Sequence, residues 1–233
     1  MIKKVLLSGA VINFALVIIG GIIGALLKRG IPDRFRKTIT HGMALCVLFI
    51  GITGLFQTTK INPLVVILSM AIGAVIGELI DLDRLINNLG DKLGKRFSGA
   101  DEKSFSKGFV TATLVFCVGA MSVVGSIDSG IKGDNTILYS KSLIDGVTAM
   151  VFASTFGIGV AFSAVPVLLL EGVLTLLAVA VAPVLTTVVV NSMAVVGSLI
   201  IIAIALNMLE LTKIKIMNLL PAVFLPLLLC LVL

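Results

Sequence analysis

The chain has 233 residues, 58% of them hydrophobic and only 13% charged, with a mean hydropathy of +1.21 and a formal net charge of +6. A water-soluble domain of this size keeps roughly a quarter of its residues charged, so this chain has too little polar surface to face water, and lipid must solvate most of it. The basic excess does not mark a nucleic-acid binder: the bases flank apolar runs, and one Tyr with no Trp offers no stacking platform.

Segments rich in Leu, Ile, Val, Ala and Gly reach the length of about 20 residues at which a helix crosses the hydrocarbon core. They lack the short alternation of lipid-facing barrel strands. The expected fold is an all-α polytopic bundle, a single integral membrane domain over 1–233, with about eight spans. These are 5–27, 39–56, 63–80, 108–126, 142–162, 165–188, 192–209 and 217–233. Lys3 and Lys4 precede the first run as in a signal peptide, but the run is too long, lacks a small-x-small cleavage site, and is stopped by Lys28 and Arg29 like a span. Within it, Asn13 is the polar exception, and Gly20, Gly21 and Gly24 place small residues about one helical turn apart, where close backbone approach drives helix association in lipid.

The third run repeats that device at Gly73 and Gly77 and then ends in Glu78, Asp81 and Asp83. Glu78 precedes the exit by a turn and is a candidate polar contact; Asp81 and Asp83 read as caps of the next helix. That segment, 81–104, has Leu82, Leu85, Ile86, Leu89, Leu93 and Phe97 in a helical stripe with Lys92, Lys95 and Arg96 off it, the pattern of an amphipathic helix on an anionic leaflet.

Further along, Asp145 follows Lys141 at i,i+4, an expected ion pair on one helix face. Residues 142–188 contain no Lys or Arg; Pro166 in AFSAVP is the natural place for a turn, which sets Glu171 one to two turns deep with apolar neighbours on both sides. Asn191 and Asn207 lie in the next run, where amides can bridge helices. An echo links 40–56 (THGMALCVLFIGITGLF) with 190–206 (VNSMAVVGSLIIIAIAL), matching Met43, Ala44, Ile50 and Ile52 to Met193, Ala194, Ile200 and Ile202. The alternation of spans makes these two run in opposite directions, which is the pattern of an inverted-topology repeat.

Lys and Arg concentrate in loops 28–38 and 81–107, which places those loops in the cytoplasm and both termini outside. Cys46, Cys117 and Cys230 sit in apolar runs with no CxxC spacing, so no disulfide framework is expected. His41 has no second ligand at metal spacing, and no metal or cofactor is expected. HExxH, GxSxG and GxxxxGK[ST] are all missing, so an enzyme is not expected.

The stretches GAVINFALVIIGGIIGALLKRGIPDRFRKTI, IGELIDLDRLINNLGDKL and FVTATLVFCVGAM, with LYSKSLIDG and ASTFGIG beyond them, resemble the YdfK/YqgA-like bacterial membrane proteins (domain of unknown function 554) over nearly the whole chain. The resemblance implies a multi-pass protein of the bacterial cytoplasmic membrane. It carries over no catalytic or ligand-binding residue.

A charge at the bilayer centre costs about 2.5–3.5 kcal/mol on the lenient insertion scale, so polar residues inside spans face the protein interior or a wet cavity. Two readings are open. One is a transporter or channel-like protein for a small solute or ion, with Glu171, Glu78, Asn13, Asn191, Asn207, Asp145 and Lys141 as candidate contacts. The alternative is a membrane-embedded scaffold or regulator. The expected partners are the lipid bilayer and the solute or ion, with homo-oligomerisation open and nucleic acid excluded.

Overall fold

A computed structural model describes residues 7–28, 33–56, 61–85, 88, 92, 102–117 and 119–230. Helices α1 (Ser8–Lys28), α2 (Asp33–Phe56), α3 (Pro63–Ile80), α4 (Glu102–Cys117), α5 (Ala120–Lys132), α6 (Thr136–Phe156), α7 (Gly159–Phe162), α8 (Ala164–Val181) and α9 (Thr187–Met208) are followed by a 3-10 helix, Ile216–Val223, and the short α10, Pro226–Leu229. The described residues contain no strand. Most of the stripe expected over 82–97 lies outside the described residues; its first turn, 82–85, is helical.

Local chemistry sets several of these boundaries. At the start of α3 the Asn62 side chain accepts from Leu64 N at 3.1 Å, and Pro63 occupies the first turn, where its missing N–H costs nothing. The same helix ends at Asp81, left-handed at φ 54°, whose N–H donates to the carbonyls of Gly77 and Glu78. Helix α9 is capped by the Thr186 hydroxyl, which accepts from Val189 N.

Among the described residues, five segments are long and apolar enough to cross a membrane: Ser8–Leu27, Lys37–Phe56, Pro63–Ile80, Gly159–Val181 and Thr187–Met208. A sixth exists if Ser104–Cys117 and Met121–Lys132, bent by 56°, count as one. Two of the eight expected spans differ for physical reasons. Lys141 and Asp145 make α6 too polar to qualify alone, and Pro221 inside the last apolar run, followed by Pro226, breaks it into 3-10 and α pieces. The turn expected at AFSAVP lies earlier. It falls at Gly157, whose φ of 88° suits a residue without a side chain, while Pro166 sits harmlessly in the first turn of α8. Glu171 consequently lies at the middle of the 23-residue Gly159–Val181 segment, deeper than the expected turn would put it.

The chain divides into two compact units: Met1–Ile39, Asn87–Cys117 and Met121–Ala182 in the first; Thr40–Ile86, Val118–Ala120 and Pro183–Leu233 in the second. In the first, α1 and α6 run parallel along their lengths. Gly9 faces Leu138 at one end, Gly20 faces Gly146 midway, and Gly24 faces Met150 and Ala153 at the other. A Cβ at Gly20 or Gly24 would overlap the carbonyl oxygen of Gly146 or Met150. The α7–α8 segment runs back antiparallel to α1, with Ala161 against Gly21 and Gly172 near Leu7. On α1, Val11, Ile19, Ile22, Leu26 and Leu27 remain exposed, an outward face suited to lipid.

In the second unit α9 supplies much of the core, with Val196, Ile200 and Ala205 completely buried. It crosses α2 antiparallel, Gly51 meeting Ile202 and Gly54 meeting Ser198. Helix α3 packs antiparallel on the 3-10 helix through Gly73 against Ala222 and Gly77 against Asn218.

Candidate functional site

Four polar side chains from three helices meet inside the first unit. Lys141 and Asp145, one turn apart on α6, form an ion pair and hydrogen bond. Lys141 Nζ also lies 3.3 Å from Glu171 Oε1 on α8. From α1, Asn13 Nδ2 donates to Asp145 Oδ2 at 3.1 Å and to Glu171 Oε1 at 2.9 Å. The side chains of Lys141, Asp145 and Glu171 are 5%, 9% and 0% exposed, and Asn13 is completely buried.

Each part of this geometry traces to helix packing. The i,i+4 spacing puts Lys141 and Asp145 on one face. The glycine contacts along α1 and α6 bring the two backbones close enough for the short Asn13 amide to reach across. The hairpin at Gly157 then turns the chain back so that Glu171 closes the group from the third side.

A lysine and two carboxylates are unequal in charge, and burial makes an uncompensated charge costly. With all three ionised the group carries one negative charge more than positive. Several of its oxygens also lack partners: Glu171 Oε2 and Asn13 Oδ1 have none among the described residues, and neither has Thr175 Oγ1, one turn beyond Glu171 and 1% exposed.

A second polar node lies in the same unit and was not singled out from the sequence. Asn135 Oδ1 accepts from Gly9 N at 3.2 Å and from Ser129 Oγ at 2.9 Å, joining the starts of α1 and α6 to α5. Its position between the turn residue Gly133 and Thr136 was the available signal, since short polar side chains there commonly bond neighbouring backbone. Beside it, Asp134 Oδ1 accepts from Thr136 N at 2.9 Å, and hydrogen bonds from the Thr136 side chain and backbone hold its carboxyl below the usual range.

The remaining candidates lie in the second unit. Glu78 pairs with Lys215, and its other oxygen accepts from Asn218 Nδ2 at 2.6 Å. Asn218 Oδ1 accepts from Asp83 N at 2.7 Å. This is an exposed arrangement, with Glu78 58% and Lys215 55% exposed. The hydrogen bond and charge of Glu78 raise the Lys215 pKa. Asn207 ties the loop after α9, accepting from Thr212 Oγ1 and Ile214 N while donating to Ile214 O. Asn191 is half-buried on α9. No group of three His, Cys, Asp or Glu able to hold a metal exists among the described residues, and the cysteines are free.

The apolar segments of crossing length define a multi-pass helical membrane protein. A family model described as "Protein of unknown function (DUF554)" matches residues 8–231, and the chain belongs to that family. It is 32% identical over 220 residues to the "Uncharacterized membrane protein YdfK" of Bacillus subtilis (strain 168), covering 94% of this chain and 93% of that one. It is 31% identical over 221 residues to the "Uncharacterized protein YqgA" of Escherichia coli (strain K12), covering 93% of each. No solved structure matches the chain.

Proposed function

We propose that the protein is a transporter or channel-like protein for a small solute or ion in the bacterial cytoplasmic membrane, with its polar site at Asn13, Lys141, Asp145 and Glu171. The observation that carries this reading is the buried excess of one carboxylate over one lysine at the middle of an apolar segment. A purely structural tie would be cheaper as a one-to-one pair or as packed hydrophobic residues. Ionisable groups buried at membrane depth mark ion and proton pathways. No enzymatic role is part of this reading, and both termini face outward with loops 28–38 and 81–107 in the cytoplasm.

The inverted repeat belongs to the same proposal. Laid over each other, 40–56 and 190–206 put Gly51 at the position of Ile201. Gly51 meets Ile202 where α2 and α9 cross, so the crossing lies close to equivalent positions, as a two-fold related pair requires.

The test is flux of protons and small ions in proteoliposomes containing the purified chain. Glu171→Gln is expected to remove most of the flux, and Glu78→Gln to leave it near wild type. Equal flux in the wild type and Glu171→Gln would remove this group from the pathway. A wild type that passes nothing above empty liposomes would favour a scaffold.

A further inference from the structure

We infer that the first unit binds one monovalent alkali-metal cation at Glu171 Oε2, Asn13 Oδ1 and Thr175 Oγ1, in competition with Lys141 for Glu171. The inference rests on the transport reading for its purpose, but on unpartnered atoms for its site.

Asn13 spends its amide N–H groups on the two carboxylates, so its Oδ1 is left as an acceptor only. Glu171 uses Oε1 for both Lys141 and Asn13 and leaves Oε2 bare at zero exposure. Thr175 stands four residues after Glu171 on the same helix face, with its hydroxyl oxygen also unpartnered. Buried oxygens without partners are rare, and each is costly unless something fills it.

Charge then selects the occupant. The group carries one excess negative charge when Lys141 is charged, which a monovalent ion cancels and a divalent ion would overshoot beside a buried ammonium. A proton would cancel the charge but serve only one of the three oxygens. An oxygen-only set of one carboxylate, one amide and one hydroxyl suits a hard cation and gives a transition metal no nitrogen or sulfur. Lys141 reaches Glu171 Oε1, so cation and ammonium pull on opposite oxygens of one carboxylate, and binding of the metal loosens the hold of Lys141.

The experiment is thermal unfolding of the full chain in detergent, titrated with NaCl or KCl against choline chloride at constant ionic strength. A ligand that binds only the folded state raises the midpoint by mass action. A saturable rise with at least one metal salt, and none with choline, is expected. Thr175→Val should weaken the apparent affinity about tenfold, the scale of one lost polar ligand. It should not lower the midpoint in choline, because that hydroxyl makes no bond to lose and a methyl in its place relieves a buried unpartnered oxygen. Glu171→Gln should abolish the salt response. Equal midpoints in metal and choline salts for the wild type would overturn the inference, as would a Thr175→Val titration superimposable on the wild type. A midpoint that follows pH but no metal salt would assign the site to a proton and also overturn it. Flux without a metal response removes this inference alone; a metal response without flux removes the transport reading alone.

Discussion

Each unit joins helices distant in sequence with a lysine, an asparagine and carboxylate, but the two joints differ in solvent access and in arithmetic. In the second, Glu78 and Lys215 pair one to one in the open, and Asn218 extends the pair to the backbone of Asp83. In the first, Lys141 faces both Asp145 and Glu171 in nearly complete burial, and Asn13 bridges the two acids. An exposed pair is screened and contributes little. A buried one stands or falls as a set, because removing a member strands the others. The first joint is therefore the one in which a change of charge must be answered by another change.

The largest effect should come from removing its single cation. Lys141→Met is expected to destabilise the protein by about 3–5 kcal/mol, read from unfolding in detergent, whereas Lys215→Met should lower the midpoint by a far smaller, though measurable, amount. Adding Glu171→Gln to Lys141→Met should recover part of the loss; strict additivity of the two would mean that they do not act as a set.

Next in size is the helix contact beneath it. Gly20→Ala should cost about 1–3 kcal/mol by overpacking, because the new Cβ meets the backbone of Gly146. Gly42→Ala, on a helix with nothing near its Cβ, should be neutral or gain up to about 1 kcal/mol from helix propensity. Equal losses at both positions would dissolve the link between close packing and the joint.

The smallest effect is a pH dependence confined to the second unit. Pairing with Glu78 raises the Lys215 pKa in the folded state above the unfolded value of about 10.4. Its contribution is complete below that pH and disappears as pH rises through the higher folded value. The difference between wild type and Lys215→Gln should accordingly shrink in strong alkali, as it also does in acid once Glu78 is protonated, which a chemical-denaturation series across the pH range would show.

Much of the helical architecture was legible because lipid imposes a length and a composition on any segment that crosses it. So was the Lys141–Asp145 pair, which depends only on helical spacing. The division of 142–188 was misplaced because Pro166 is the stronger turn residue by composition, yet a proline in a first turn breaks nothing, and Gly157 with positive φ makes the turn. What could not be read was the meeting of Asn13 with Glu171, 158 residues apart, since no local pattern encodes a contact set by two glycine-lined helix faces and a hairpin. In the sequence Glu78 and Glu171 are both acids at the end of or within apolar runs, and both are candidate contacts. Partners and exposure separate them: one closes a sealed group, the other meets a loop lysine in the open.

The parallel packing of α6 along α1 also bears on how the chain is made. Lys and Asp each oppose insertion by about 2.5–3.5 kcal/mol at a helix centre, and α6 is not among the helices apolar enough to cross unaided. Its charges are met by Asn13, synthesised earlier, and by Glu171, synthesised later. A nascent chain ending after α6 is thus expected to leave that helix at the insertion machinery, and one extended through α8 to release it. Protease protection of arrested chains of the two lengths would time that release, with Glu171 as the residue whose arrival permits it.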